Sequence, residues 1–300
     1  MVYAGQMDCY QNCNEVLEKL AGVQVGPTQI YRLTDLYGKG VEDDVNVGRT
    51  LTPLKQDEVL YVQADGSMVL TREDGWKEVK VGRFFKSNDC IHAGSKQGWI
   101  SNSQYVAQLG NSKDFTKVMD ELIESYGQLD NRLLFISDGA TWIKNWIEDA
   151  FPDAISILDY YHACEHLHEF SNSFFKDKEV EQKWTTQQKE LLLKSQVSEV
   201  LKNIKAMAPK NKEADKLIAY YESNKERMYY EKYRQLGCGI IGSGAIESAH
   251  RTVIQKRMKL SGQRWSKKGA QNMLNLRVIN KNQQWGKIVE ISKYGFKATG

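Results

Sequence analysis

Three acids in this chain stand where metal-assisted chemistry would need them. Asp65 lies in an extended run, Asp138 follows the run Arg132–Ile136, apolar from Leu133 on, and Glu247 falls in the opening of a helix after the glycine-rich stretch Gly237–Gly244. In an open α/β sheet the carboxyl ends of strands face the ligand crevice, so both aspartates read as cleft residues. Each acid alone also has an ordinary reading: Asp-Gly pairs favour turns, and a first-turn acid pairs with the helix dipole. Taken together they form a hard, oxygen-only donor set of the kind that takes Mg²⁺ or Mn²⁺. Two such ions about 3.5–4 Å apart serve phosphodiester chemistry by activating the attacking oxygen and stabilising the leaving one.

Phosphodiester substrates also need neutralising charge nearby, and the chain has it. Overall it carries a net charge of only +3, yet from Arg251 to Gly300 twelve Lys and Arg face a single acid, Glu290. That is +11 in the last fifty residues and −8 in the first 250, a segregation that reads as a polyanion-binding face or as a solvated basic helix surface. Arg251, Lys256, Arg257, Lys259, Arg264, Lys267 and Lys268 are the candidate phosphate contacts, and Trp265 beside Arg264 could stack on a base.

Other chemistries fit less well. His162 and His166 lie one helical turn apart, but the run is HACEH rather than the HExxH of a zinc protease. Packing explains His166 and His168. Trp142 and Trp146 read as core residues before they read as base-stacking ones. Cys9-x3-Cys13 has no second pair to complete a zinc site. The glycines at 237–244 match neither a phosphate loop nor a strand-linked dinucleotide motif.

The elements that must position these residues divide the chain. Its 300 residues suffice for one large domain or two ordinary ones, and 10% aromatic content indicates a folded chain. No apolar run is long enough to span a membrane. The N-terminus has no basic flank and apolar core of a secretory signal, and five scattered cysteines point to a reducing cytoplasm. Residues 1–50 read as helical, with an apolar stripe at Val16, Leu17, Leu20 and Val23 and with Thr28 capping a second helix. Helix, Gly26-Pro27 turn and helix resemble a helix-turn-helix, though two plain packed helices read the same. Val59, Tyr61, Gln63 and Asp65 share one face of a strand; Leu60, Val62 and Ala64 share the other. Met68–Leu70 reads as a second extended piece and Trp76–Phe85 as a third. A helix over Asp114–Tyr126, buried strands over Arg132–Ile136 and Ala154–Leu158, and a helix over Thr141–Phe151 follow. From about Cys164 to Arg234 the pattern is helical throughout. The expectation is an α/β fold: a mixed sheet flanked by helices, interrupted by an all-helical insertion.

In ordered segments the sequence is similar to a known family. Val62–Gly66, Tyr105–Gly110, Ile136–Ile143, Phe151–Ala154, Ile157–Leu167, Gly242–Glu247 and Arg257–Ser266 running on to Asn275-Leu276-Arg277 resemble bacterial insertion-sequence DDE transposases of the ISKra type, in the wider Mutator-like group. The resemblance implies an RNase H-like core in two parts, 51–163 and 237–300, with a helical insertion at 164–236 and a shortened helical region at 1–50. It implies that Asp65, Asp138 and Glu247 are the catalytic, metal-binding triad and that His162, in an Asp159-x2-His162 motif, sits beside the active site. It further implies two Mg²⁺ or Mn²⁺ ions, transposon-end and target DNA as partners, a homodimer or higher assembly on DNA, and a place with the nucleoid. The expected activity is strand cleavage and strand transfer at insertion-sequence ends. The alternatives are a catalytically silent or domesticated DNA-binding fragment, or an RNase H-like nuclease without strand transfer. Relatives in that group carry more chain before the core, so this one reads as a shortened copy.

Overall fold

The structure, a computed structural model, describes residues 1–42, 52–92 and 98–295. The expected boundary at residue 50 and Lys297 of the basic segment lie outside the described residues.

Alternating apolar positions build a five-stranded sheet. Strand β1 (Leu60–Thr71) turns at Arg72–Asp74 into β2 (Gly75–Lys86), and Gly75 takes the positive φ of +69° that closes this turn. A short hairpin of β3 (Cys90–His92) and β4 (Gly98–Ile100) stands apart, and β5 (Gln104–Leu109) rejoins the sheet. Then come α4 (Ser112–Glu124), β6 (Leu133–Ser137), α5 (Thr141–Ala150) and β7 (Ile155–Leu158). The order is β5-β2-β1-β6-β7, with β1–β2 and β2–β5 antiparallel and β1–β6 and β6–β7 parallel. The mixed sheet flanked by helices matches the expected fold class. One detail differs: the chain does not break at Asp65-Gly66-Ser67, because β2 pairs with β1 straight through it, Asp65 opposite Val81 and Gly66 opposite Lys80.

The two faces of β1 bury as their alternation requires. Leu60, Val62 and Ala64 pack with Phe115, Met119, Phe135 and Ile147 under α4 and α5. Trp146 belongs to this core, its indole N–H donating to Asp120 at 2.7 Å, and Trp142 packs edge-on to Phe115. Tyr61 faces the opposite way, into a core shared with the helices beyond β7. These are α6 (Tyr160–Phe174), α7 (Lys178–Leu193), α8 (Val197–Met207), α9 (Lys212–Asn224) and α10 (Tyr230–Tyr233). Leu167, Phe170, Leu201 and Tyr221 of this helical block and Tyr61, Leu134 and Ile157 of the sheet form one continuous apolar cluster.

The last elements are α11 (Gly244–Ala249), a π-helical stretch His250–Gln255, α12 (Lys256–Met258), α13 (Lys267–Lys281) and α14 (Gly286–Tyr294). They pack on the β2–β5 side of the sheet and against the first helices, α1 (Val2–Met7), α2 (Tyr10–Ala21) and α3 (Pro27–Gly40). Two local expectations fail here. Gly26, not Thr28, is the N-cap of α3, because Pro27 takes the first helical position where its missing N–H is no loss. Val16, Leu20 and Val23 are exposed, since α2 turns Cys13 inward instead. Gly38 lies where a Cβ would fall 2.4 Å from the Asn272 carbonyl oxygen, which lets α3 press directly on α13.

Two of the expected DNA contacts, one to phosphate and one to a base, are corrected by this packing. Arg257 is 1% exposed; its guanidinium lies over Tyr10 and Trp265, and its Nε–H donates to the Gly5 carbonyl at 2.9 Å. Trp265 is also buried, bonded through its indole N–H to Met258 and through its backbone to Leu70 and Arg72 at the end of β1. Both serve the interior because an arginine stem and an indole can fill apolar space while their polar ends reach carbonyls. Arg257→Ala is therefore expected to lower stability by roughly 3 kcal/mol, from lost ring stacking and an orphaned carbonyl. Exposed Arg264→Ala should stay within about 0.5 kcal/mol. Urea unfolding of the two variants compares them directly, and equal midpoints would overturn the assignment.

Candidate active site

The pairing register brings the acids together by element. Gln63 pairs with Ile136 and Ser137 with Leu158, so continuing the register sets Asp65, in the middle of β1, level with Asp138 and Asp159, which stand just past the carboxyl ends of β6 and β7. The antiparallel β2 continues alongside β1, while the parallel partner β6 stops at Ser137, which opens a notch over Asp65 and Asp138. Asp138 is fixed locally: its Oδ1 accepts from the Ala140 N–H at 2.9 Å, and Gly139 holds a positive φ of +92°.

Glu247 comes from the other side on α11, and β1 and β2 hold that helix in place. Gln63 is fully buried; its Oε1 accepts from the Ile246 N–H at 2.8 Å and its Nε2 donates to the Gly242 carbonyl at 3.1 Å. Arg83, the register partner of Gln63, donates to the Ala245 carbonyl at 2.7 Å. Burial lowers the Arg83 pKa, and the rings of Tyr105 and Phe85 beneath its guanidinium help to keep it cationic. A turn further along, His250 is buried with its Nε2 3.0 Å from Asp65 Oδ2, while Asp65 Oδ1 accepts from the Gly66 N–H at 2.7 Å. The π-helical stretch begins at His250, and such wide turns recur at functional sites because they re-aim one residue without ending the helix.

Asp159 and Ser243 link the two sides. Asp159 caps α6 through the Tyr161 N–H at 2.8 Å and accepts a short hydrogen bond from the Ser243 hydroxyl. Ser243 in turn stands 3.3 Å from Glu247 Oε1. Gly242 is needed for this approach, since a Cβ there would lie 2.4 Å from the Tyr161 ring. The helical block braces the other strand end: Tyr220 donates its hydroxyl to the Asp138 carbonyl at 2.9 Å, and buried Arg227 donates to Ser137 Oγ at 2.7 Å.

Sequence reasoning thus places Asp65, Asp138 and Glu247 on three neighbouring elements around one notch. His162 lies at its rim, not in contact with the acids; it pairs with Glu165 at 3.1 Å and packs on His166, whose ring stacks on Tyr220. Asp159, Ser243, Gln63 and His250 were missed as site residues. Asp159 ends an apolar strand just as Asp138 does, and His250 follows Glu247 by three residues on the same helix. Those were the available signals. The donors are oxygen-only and fit a hard divalent cation in type. Among the described residues, however, no three His, Cys, Asp or Glu side chains converge closely enough to hold an ion.

Of the basic candidates, Arg251, Lys256, Lys259, Arg264, Lys267 and Lys268 are exposed. Lys259 reaches Ser67 on β1 at 2.6 Å, two residues beyond Asp65, and Lys267 is paired with Asp74 at 3.0 Å. No helix among the described residues is long and apolar enough to cross a membrane.

Fold and site define a mixed α/β protein with acidic strand ends facing a helix held by buried polar contacts. The chain belongs to the uncharacterised protein family UPF0236, whose sequence profile matches residues 6–294. It is similar to a UPF0236 protein in the vanSb 3′ region of Streptococcus gallolyticus, 26% identical over 289 residues. That alignment covers 91% of this chain, which spans about 60% of the relative's length.

Gln63→Leu keeps the volume and removes both hydrogen bonds, leaving the Gly242 carbonyl without its side-chain partner and the Ile246 N–H with only its backbone bond to the Ser243 carbonyl at 2.8 Å. The expected cost is roughly 1–3 kcal/mol, together with faster amide exchange over residues 243–250 than over β6. Unchanged exchange there would show that the clamp does not hold the helix.

Proposed function

We propose that this chain is a metal-dependent polynucleotidyl transferase of the DDE transposase kind, built on an RNase H-like core. The observation that carries the reading is the register of β1 and β6, which sets Asp65 beside Asp138 while Gln63 holds the Glu247 helix over them. The sheet order supports it: leaving out the β3–β4 hairpin, the strands run third, second, first, fourth, fifth, with only the second antiparallel to its neighbours. That is the order such a core requires. The helical block between β7 and α11 stands where an inserted domain is expected.

In this reading water hydrolyses a phosphodiester at the element's end to free a 3′-OH, which then attacks a target phosphodiester in line, forming the new 3′-O–P bond as the target strand's own 3′-oxygen leaves. A divalent cation, Mg²⁺ or Mn²⁺, supplies Lewis-acid polarisation of the phosphate and lowers the pKa of the attacking hydroxyl. Asp65 and Asp138 would hold one such ion and Glu247 would complete a second site. His250 stands against Asp65, its Nε2 3.0 Å from Oδ2, while the Gly66 N–H holds Oδ1 before substrate arrives. The Asp159–Ser243 contact similarly fixes the loop that presents Glu247. Exposed Arg251, Lys256, Lys259, Arg264 and Lys268 hold the DNA backbone beside the notch, with Lys267 partly neutralised by Asp74. A homodimer or larger assembly on DNA, and residence with the nucleoid, belong to the same proposal.

A second reading is a DNA-binding protein without catalysis, favoured by the carboxylates standing too far apart to form an ion cage. Incubation of the full chain with supercoiled plasmid in Mn²⁺ separates the readings. The expected result is nicked and joined products, reduced about a thousandfold in Asp65→Asn, Asp138→Asn and Glu247→Gln, in line with the several kcal/mol that a bound cation contributes. Nicking without joined products indicates a nuclease. Salt-dependent binding with no nicking in any metal indicates the silent DNA-binding protein.

The binding step has its own signature. Replacing Lys256 and Lys259 together by alanine should reduce the slope of log affinity against log salt by about 2, since each phosphate contact contributes about 0.9. An unchanged slope would move the DNA to another face.

A further inference from the structure

Outside the carboxylate notch, two thiols from distant parts of the chain meet. Cys90 opens β3, and Cys238 lies in the glycine-rich loop that leads to α11; they are 148 positions apart, with sulfurs 2.9 Å from each other. Both are free and half-buried. The loop is seated on β1 by Tyr61, whose phenol donates to the Leu236 carbonyl at 2.9 Å and accepts from the Cys238 N–H at 3.2 Å. Five residues beyond Cys238 is Ser243, which contacts both Asp159 and Glu247.

The pair is reachable. Cys90 and Cys238 line a cleft of about 950 Å³ together with Arg83, His92, Trp99 and Arg234, room enough for a peptide-sized thiol reagent. Its two members are chemically unequal. The hydrogen bond from Cys90 pulls the Cys238 thiol down to about 7, so a large fraction is thiolate at neutral pH, while the neighbouring sulfur pushes Cys90 up. Burial raises Cys13 and Cys164, which keeps those two thiols protonated.

We propose that Cys90 and Cys238 are a redox pair whose disulfide ties the β3–β4 hairpin to the loop carrying Ser243 and the Glu247 helix. The oxidant is a low-molecular-weight disulfide of the glutathione class. The Cys238 thiolate attacks one of its sulfurs, forming a mixed disulfide and expelling one small thiolate. With Cys238 capped, the negative neighbour that suppressed ionisation of Cys90 is gone. Cys90 then loses its proton to solvent and attacks the Cys238 sulfur, releasing the second small thiol. The protein pair has given up two electrons and two protons, and the small disulfide has become two thiols. In a reducing compartment such a bond is transient, which suits a sensor rather than a structural brace. The bond itself does not depend on the transposase reading; only its consequence for Glu247 does.

The test reads thiols and amides rather than DNA cleavage, so its outcome is separable from that of the proposed activity. The full chain is treated with oxidised glutathione at neutral pH. Titratable thiols should fall from five to three, with a mass loss of about 2 Da and a peptide map under non-reducing conditions showing Cys90 joined to Cys238. The cross-link should vanish in Cys90→Ser and in Cys238→Ser and persist in Cys9→Ser. Amide exchange over residues 236–250 should slow on oxidation and recover with dithiothreitol. A stable glutathione adduct on Cys238 without the cross-link, or a bond confined to Cys9 and Cys13, would overturn the pairing. A cross-link that leaves exchange over 243–250 unchanged would overturn the tie to the Glu247 helix.

Discussion

The side-chain amide of Gln63 is the constraint on which the rest of the site depends. It sits in the middle of β1 with no exposure to water, and both of its ends are bonded to the loop and helix that carry Glu247. A buried amide has no alternative partners there, so shifting the helix along the strand by one residue would leave both ends of the Gln63 amide and the Gly242 carbonyl without these bonds. Asp65 lies two residues further along the strand and Glu247 follows the bonded Ile246 directly. The relative position of the two acids is thereby set by a pair of hydrogen bonds rather than by apolar packing, which tolerates sliding. Arg83 adds a third bond to the same helix from the neighbouring strand, and His250 a contact from the helix back to Asp65.

Much of the fold was legible because burial imposes simple periods. The alternation from Val59 to Asp65 assigns the faces of β1 correctly, and the apolar run at 133–136 is a central strand buried on both faces, as its composition requires, whereas the run at 155–158 is an edge strand buried only at Ile157 and Leu158 and half-buried at Ile155 and Ser156. Asp138 was legible for the same reason: a charged residue that ends an apolar strand must sit at the sheet's edge. What was not legible depends on partners remote in sequence. Asp65-Gly66-Ser67 looks like a turn locally, yet β2 supplies a complete ladder through it. The stripe Val16, Leu20, Val23 has helical spacing but faces outward, because the register of α2 against α3 is set by Cys13 and the close approach of α1. Gln63 carries no local signal, since its importance lies in the backbone groups it meets across 179 and 183 positions, and Ser243 carries none because its partner Asp159 lies 84 positions away.

The basic segment shows why a count of charges overstates a binding face. Arg257 and Arg277 contribute two of its twelve cations, yet both are interior: Arg257 bonds the Gly5 carbonyl, and Arg277 bonds the Gln6 carbonyl at 2.8 Å and the Val253 carbonyl at 3.2 Å. Burial draws the Arg277 pKa down to about 10, which still leaves it charged at neutral pH. Among the described residues neither guanidinium has a carboxylate within ion-pair reach; carbonyl oxygens and, for Arg257, aromatic faces compensate them instead. Their work is to fasten the first helix to the last ones, so the N-terminal helices and the closing helices form one packed unit.

The helical block is tied to the strand ends in the same way. Tyr220 and Arg227 come from the far end of the block, yet their polar tips end on Asp138 and Ser137, at the strand terminus that presents an acid to the notch. A block that merely filled space would meet the sheet through apolar groups alone, and it has ample apolar contact with Tyr61, Leu134 and Ile157. The added hydrogen bonds fix the β6 terminus itself, where parallel pairing has already run out. The acids on β1 and β6 are therefore held from opposite sides, one by the closing helix and the other by the helical block, and the width of the notch between them follows from how those two bodies seat on a common sheet.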